Sequence, residues 1–221
     1  AHHGILLEWW LPVGCDFSGF FVEMLGYLVP MMRKVDKLFL HLGKCSEDTL
    51  ALLTASEAAV LRQAQANWQE RSIAVKDETQ RDHERTVLVQ HATPCEWKRF
   101  DGERPKVVIG RTMTERLGID SAWIECCSRV DEIWVPTEWA VDIFVAAGVP
   151  SSQLFVMPEG IDTRLFQPPA SRDRRGVTRP GARRPFVFLS VFKWEGRKGM
   201  DILLDAFWTV FSRADNVVLR L

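Results

Sequence analysis

Four short apolar runs, Thr86 to Gln90, Lys106 to Gly110, Ile133 to Pro136 and Leu154 to Pro158, recur along the middle of this chain, and helix-patterned segments separate the last three. A strand that is apolar on both faces needs cover on both, so such runs read as parallel strands between layers of helices. Ile5 to Leu11 and Lys37 to Leu42 extend the series toward the amino end. Residues 1–165 are therefore expected to form one doubly wound α/β domain, with right-handed crossovers.

The intervening segments carry helix signals. Phe20 to Lys34 is an apolar stretch interrupted by Glu23. Ser46 is a good N-cap, and Leu50, Leu53, Val60, Leu61, Ala64 and Trp68 follow near helical spacing. Residues 69–86 are highly charged and read as a solvated helix end or loop. Ser121 to Val130 puts Trp123, Cys127 and Val130 on one face. Thr137 caps a helix with Trp139, Ile143 and Ala147 on one side, and Gly148 suits a left-handed stop before Pro150.

Residues 166–185 break this pattern. Within them, six arginines lie in residues 172–184, among several prolines. The segment reads as a linker with a solvated basic loop; the alternative is electrostatic contact with anionic lipid or polyphosphate. A new unit starts at Phe186. Phe186 to Phe192 reads as a buried strand, and Asp201 to Arg213 as a helix with Leu203, Ala206, Phe207, Val210 and Phe211 in one stripe. Val217 to Leu221 opens another strand. A single βαβ unit cannot bury its own faces, so residues 186–221 are expected to be the incomplete start of a second domain.

Composition excludes several functions. Lys and Arg number 28 against 29 Asp and Glu, a net charge of −1, which argues against nucleic acid as a partner. No apolar run reaches the roughly 18 residues of a membrane span. The five cysteines lack a CxxC spacing and read as reduced thiols of a reducing, cytoplasmic compartment. Adjacent Cys126 and Cys127 should point to opposite sides. No ligand pairs recur at zinc spacing, so no metal site is expected.

The candidate chemistry sits after the strand that Phe186 begins. Lys193, Arg197, Lys198 and Gly199 lie between it and the next helix. Helix N-termini point free N–H groups and a positive dipole end at such a space, and glycine permits close backbone approach. Together these groups suit a diphosphate; otherwise Arg197 and Lys198 are exposed loop charges. Neither GxxxxGK[ST] nor an intact GxGxxG is present, which weakens ATPase and dinucleotide readings.

Val130-Asp-Glu-Ile-Trp-Val-Pro-Thr-Glu-Trp139, Ala147-Gly-Val-Pro150, Val156-Met-Pro-Glu-Gly-Ile-Asp162 and Arg197-Lys-Gly199, in that order, resemble the GT-B glycosyltransferases, in particular the retaining nucleotide-sugar enzymes of family four. The resemblance covers residues 105–221 well and 1–90 faintly. It implies two Rossmann-like domains facing across a cleft, the first holding the acceptor and the second the sugar nucleotide, without metal or other cofactor. It implies that Arg197 and Lys198 match the family's basic pair, with Lys198 the closer phosphate contact and Lys193 a further basic residue. It places Gly19 in the glycine loop near the donor. It also implies that His91, just before Thr93-Pro94, contacts donor sugar or acceptor; the alternative is a hydrogen-bonded structural histidine. Arg111 and Glu115 either bind acceptor or pair with each other. The family's two glutamates in an E-x7-E pattern lie beyond Leu221, so this chain alone is expected to be inactive. The acceptor is a glycan, a lipid or a protein, with peripheral membrane contact allowed. A non-catalytic module of the same fold and another Rossmann-type nucleotide enzyme are the competing readings.

Overall fold

The computed structural model describes residues 4–12, 14–15, 18–32, 34–43, 45–73, 83–161, 163, 166–167 and 185–221. The chain divides into two compact units, Ala1–Phe166 and Gln167–Leu221. The arginine-rich stretch 172–184 lies outside the described residues.

The first unit is built on six parallel strands: β1 (Leu6–Trp10), β2 (Lys37–His41), β3 (Thr86–His91), β4 (Val107–Arg111), β5 (Glu132–Val135) and β6 (Leu154–Val156). Their order is β2-β1-β3-β4-β5-β6. The chain steps outward from β1 to β2, then returns past β1 to β3. That reversal makes the carboxyl ends of β1 and β3 a topological switch point, the place where open α/β sheets bind ligands.

Helices cover both faces, as the apolar runs require. α1 (Gly19–Met31), α2 (Glu47–Ala51) and α3 (Ala55–Ile73) follow β1 and β2; α4 (Ser121–Cys127) and α5 (Glu138–Ala146) follow β4 and β5. On one face Leu7, Trp9, Leu40, Val89 and Ile109 pack with Phe21, Met24 and Leu28 of α1 and Leu61 and Ala64 of α3. On the other, Leu88, Val108, Ile133 and Val135 pack with Cys127, Ala140 and Phe144. Neighbouring residues of one strand thus enter different cores: Leu88 one, Val89 the other. Trp97 fills the second core so closely that a Cβ on Gly110 would sit 2.7 Å from its Cε2. Only glycine fits that position of β4.

Local chemistry sets the helix ends. The Ser18, Ser46 and Thr137 side chains accept from Phe21, Thr49 and Ala140 N–H. The single helix expected through Leu50 and Trp68 is two, because Thr54 starts α3 with a capping box. Its backbone N–H donates to Glu57 Oε2 at 2.7 Å, and Glu57 N–H donates to Thr54 Oγ1 at 3.3 Å. On α5 the buried residues are Ala140 and Phe144, one position on from the expected stripe, and Trp139 is exposed. Gly148 has φ +102°, the left-handed stop expected.

The cysteine expectation is overturned. Cys15 is bonded to Cys45 and Cys95 to Cys126, with Cα separations of 5.2 and 5.1 Å. β1 and β2 are neighbours, so the loops after them meet; sequence spacing concealed this. Cys127 alone stays a thiol, buried, with burial pushing its pKa up to about 12. The thiol argument for a reducing compartment therefore falls.

The second unit is a parallel pair, β7 (Phe186–Leu189) and β8 (Val217–Arg220), joined through α6 (Met200–Val210). β7 was expected to be buried. All four of its residues are exposed, because a lone βαβ unit offers one helix to cover two sheet faces. No helix among the described residues is long and apolar enough to cross a membrane.

Peptide mapping without reductant should recover the Cys15–Cys45 and Cys95–Cys126 linked peptides, with Cys127 alone alkylated after denaturation. Each bridge closes a loop of about 30 residues, which lowers denatured-state entropy by an amount worth about 3 to 4 kcal/mol. Reduction should therefore depress the unfolding midpoint clearly.

Candidate functional site at the strand ends

The second turn of α1 aims a carboxylate into the protein. Glu23 interrupts an apolar helix, yet its side chain is only 3% exposed. Its position is dictated by α1 crossing the switch point: Phe21, Met24, Leu25 and Leu28 are buried on the same helix, and Glu23 shares their inward side with Tyr27, one turn on.

Three groups from three directions meet this carboxylate. Arg111, the last residue of β4, donates from Nε to Glu23 Oε1 at 2.7 Å and from Nη2 to the same oxygen. His91, the last residue of β3, places Nε2 3.2 Å from Glu23 Oε2. Tyr27 Oη lies 3.2 Å from Glu23 Oε1, and 2.9 Å from the Pro158 carbonyl just past β6. His91 and Arg111 are register partners on adjacent strands, which is why both reach one acid. Trp9 packs edge-on against the His91 ring with centroids 5.8 Å apart, and Phe20 does so at 4.9 Å.

The electrostatics follow from burial and pairing. Burial alone would push the Glu23 carboxyl up. The hydrogen bond with His91 and the charge of Arg111 outweigh it and hold Glu23 below the usual carboxylate range. Burial pulls the His91 imidazole down; Glu23 opposes this and Arg111 reinforces it, leaving a net lowering. Burial raises the Tyr27 phenol. At neutral pH the cluster is a carboxylate, a guanidinium, a neutral imidazole and a neutral phenol.

Not all of its polar atoms are used. His91 Nδ1, Arg111 Nη1, Thr112 Oγ1 and Trp9 Nε1 are buried without a hydrogen-bond partner among the described residues. A buried unsatisfied polar atom costs about 1–3 kcal/mol. Two of them, on His91 and Arg111, belong to side chains joined through Glu23 at the carboxyl ends of β3 and β4, where polar atoms of another molecule can complete them.

Of the residues expected from sequence, His91 is thus central. Gly19 opens α1 beside Phe20, with no atom within 4 Å of where its Cβ would be. Arg111 pairs with Glu23, not with Glu115 as one alternative had it. Glu23 itself was passed over; its signal was a lone acid in an apolar helical run, four residues before the chain's one tyrosine.

Lys193, Arg197, Lys198 and Gly199 belong to the second unit. Gly199, with φ +67°, ends a short turn Gly196–Lys198 and starts α6 without a side-chain cap. The first N–H groups of α6 therefore lack a side-chain acceptor at their N-cap. Glu195 sits among the cations: Lys193 Nζ lies 2.8 Å from one of its oxygens and Arg197 Nε 3.0 Å from the other. Lys193 holds the Glu195 carboxyl below its ordinary pKa, with help from Arg197. Lys198 is exposed and makes no ion pair among the described residues. Among those residues no group of three or more His, Cys, Asp or Glu is placed to hold a metal ion.

No protein-family model matches the chain, and no curated relative does. Solved structures do. Anabaena HepE in complex with UDP and glucose aligns over 97% of this chain and 60% of its own, with TM-score 0.60 and 14% identity. The same protein with UDP-glucose aligns over 97% and 60%, at TM-score 0.59 and 15% identity. This chain spans about 60% of the length of the structures it matches. The likeness establishes a Rossmann-like α/β fold.

The cluster's share of the pH dependence of stability follows from the lowered pKa values of Glu23 and His91, and His41, lowered by burial, adds to it with the same sign. A group whose folded pKa is depressed binds more protons when unfolded, so its stabilisation is lost as pH falls. For His91 that loss begins below about 6.5, and for Glu23 below about 4.5. The unfolding midpoint should therefore fall as pH drops from 7 to 4. In His91→Gln the decline between about pH 7 and 5.5 should be shallower than in wild type. Thermal unfolding across a pH series measures both.

Proposed function

We propose that this chain is part of a nucleotide-sugar glycosyltransferase of GT-B type, in the retaining family four, working without a metal ion. The observation that carries the reading is the likeness, over nearly the whole chain, to a fold solved with UDP-glucose. The buried ionic cluster at the switch point and the uncapped helix after a basic loop support it, since both are places where such a fold takes substrate.

In this reaction the anomeric carbon becomes cationic as its bond to the diphosphate breaks, and negative charge grows on the departing oxygens. Fixed cations and helix N–H groups favour that state over the ground state. Lys198, Arg197 and Lys193 are the proposed diphosphate ligands, with the α6 N-terminus; Gly199 permits the backbone to approach. Glu195 holds Lys193 and Arg197 in place until phosphate oxygens share them. His91, with Gly19 nearby, is the proposed contact for sugar or acceptor hydroxyls. The acceptor, whether glycan, lipid or protein, receives the sugar on a hydroxyl, as in glycoside cleavage with water replaced.

Calorimetric titration of the full-length protein with UDP-glucose and other sugar nucleotides tests this. One lost charge-assisted hydrogen bond, about 1.5–3 kcal/mol, corresponds to a roughly 10- to 150-fold weaker Kd in Lys198→Ala. Equal affinity removes Lys198 from the site. Absence of binding to every sugar nucleotide overturns the function.

A further inference from the structure

The hydrogen-bond inventory of the Glu23 cluster decides what kind of group can complete it. An ionised carboxylate only accepts. Glu23 Oε1 receives the Arg111 N–H groups, and Oε2 faces His91 Nε2 at 3.2 Å. Nε2 must then carry the imidazole proton. In a neutral ring this leaves Nδ1 as a bare lone pair, and Nδ1 is one of the buried atoms without a partner. Arg111 Nη1, also unpartnered, is a donor. An esterified diphosphate without a free O–H, or an ionised carboxylate, could satisfy Nη1 but offers no proton to Nδ1. A hydroxyl can donate to Nδ1. Of the two rings packed on the imidazole, Trp9 is fully buried and Phe20 is half-buried.

We propose that Glu23 is a positioning residue that fixes His91 as its Nε2–H tautomer, so that Nδ1 is held as a hydrogen-bond acceptor for a substrate hydroxyl. The hydroxyl part rests on the glycosyltransferase reading; the tautomer does not. The charged and titratable groups around the ring are Glu23 and Tyr27 from α1, Arg111 from β4, and Glu159 beyond β6, whose charge also acts on His91. Glu23 alone among them is bonded to the ring. A structural histidine could hold either tautomer and would leave Nδ1 indifferent to substrate.

Nitrogen NMR of the full-length protein labelled with ¹⁵N-histidine reads the tautomer directly, with His91→Gln assigning the resonance. At pH 7.5 the wild type should show a protonated Nε2 and an unprotonated Nδ1. Glu23→Gln should reverse this, because the amide oxygen goes to Arg111 and its NH₂ then donates to Nε2, moving the imidazole proton to Nδ1. A protonated Nδ1 or an imidazolium in the wild type overturns the proposal, and that measurement stands even where Glu23→Gln does not fold. An unchanged tautomer in folded Glu23→Gln overturns it equally. With UDP-glucose bound by calorimetry, the Nδ1 resonance should shift as it gains a hydrogen bond. Binding without that shift removes the hydroxyl role. Failure of every sugar nucleotide to bind, with the expected tautomer in place, sinks the transferase reading and leaves the positioning role intact.

Discussion

One buried carboxylate organises the first unit. Removing Glu23 from water is costly, and an unpaired acid there would take up a proton instead. It remains charged because Arg111, His91 and Tyr27 converge on it from β4, β3 and its own helix. The same contacts tie α1 to two strand ends, and Tyr27 extends the tie to the Pro158 carbonyl beyond β6. Such a network contributes more to geometry than to net stability, since pairing only offsets desolvation. Its value is a fixed imidazole at the point where the sheet reverses direction.

The sheet was legible because two-sided burial imposes a visible signature. Leu88 and Val89 are both apolar since each faces a different core. Caps at Ser46 and Thr137 and the stop at Gly148 were legible because they are local. What failed was non-local. Cys15 and Cys45 meet because parallel topology sets neighbouring loops side by side, and no spacing rule in the chain records that. Glu23 and Arg111 are far apart in sequence, and the acid read as an interruption of an apolar helix instead of its point. The break before Thr54 was missed because two apolar stripes at similar spacing continue across it.

The second unit shows a different physical economy. Its β7 residues remain exposed while Leu203, Leu204 and Phe207 of α6 are half-buried, so its order comes from the parallel pair, the packing of Phe188 on Phe207 and Phe211 and the left-handed Gly199. Its basic turn is not a bare cluster of charge. Glu195 engages Lys193 and Arg197, which limits their mutual repulsion without substrate and leaves Lys198 as the cation free of an ion pair among the described residues. An anion that competes with Glu195 would find cations already gathered by it.

The central claim is that Glu23 and Arg111 act as a unit. A double-mutant cycle with Glu23→Gln, Arg111→Met and the double variant, followed by chemical denaturation, tests it most directly. Each single change leaves a buried charge without its counter-charge and should cost about 3–5 kcal/mol, while the double variant should cost well under the sum, a coupling of about 2 kcal/mol or more. Additive losses would mean that the two side chains are energetically independent, and the account built on their pairing would be contradicted.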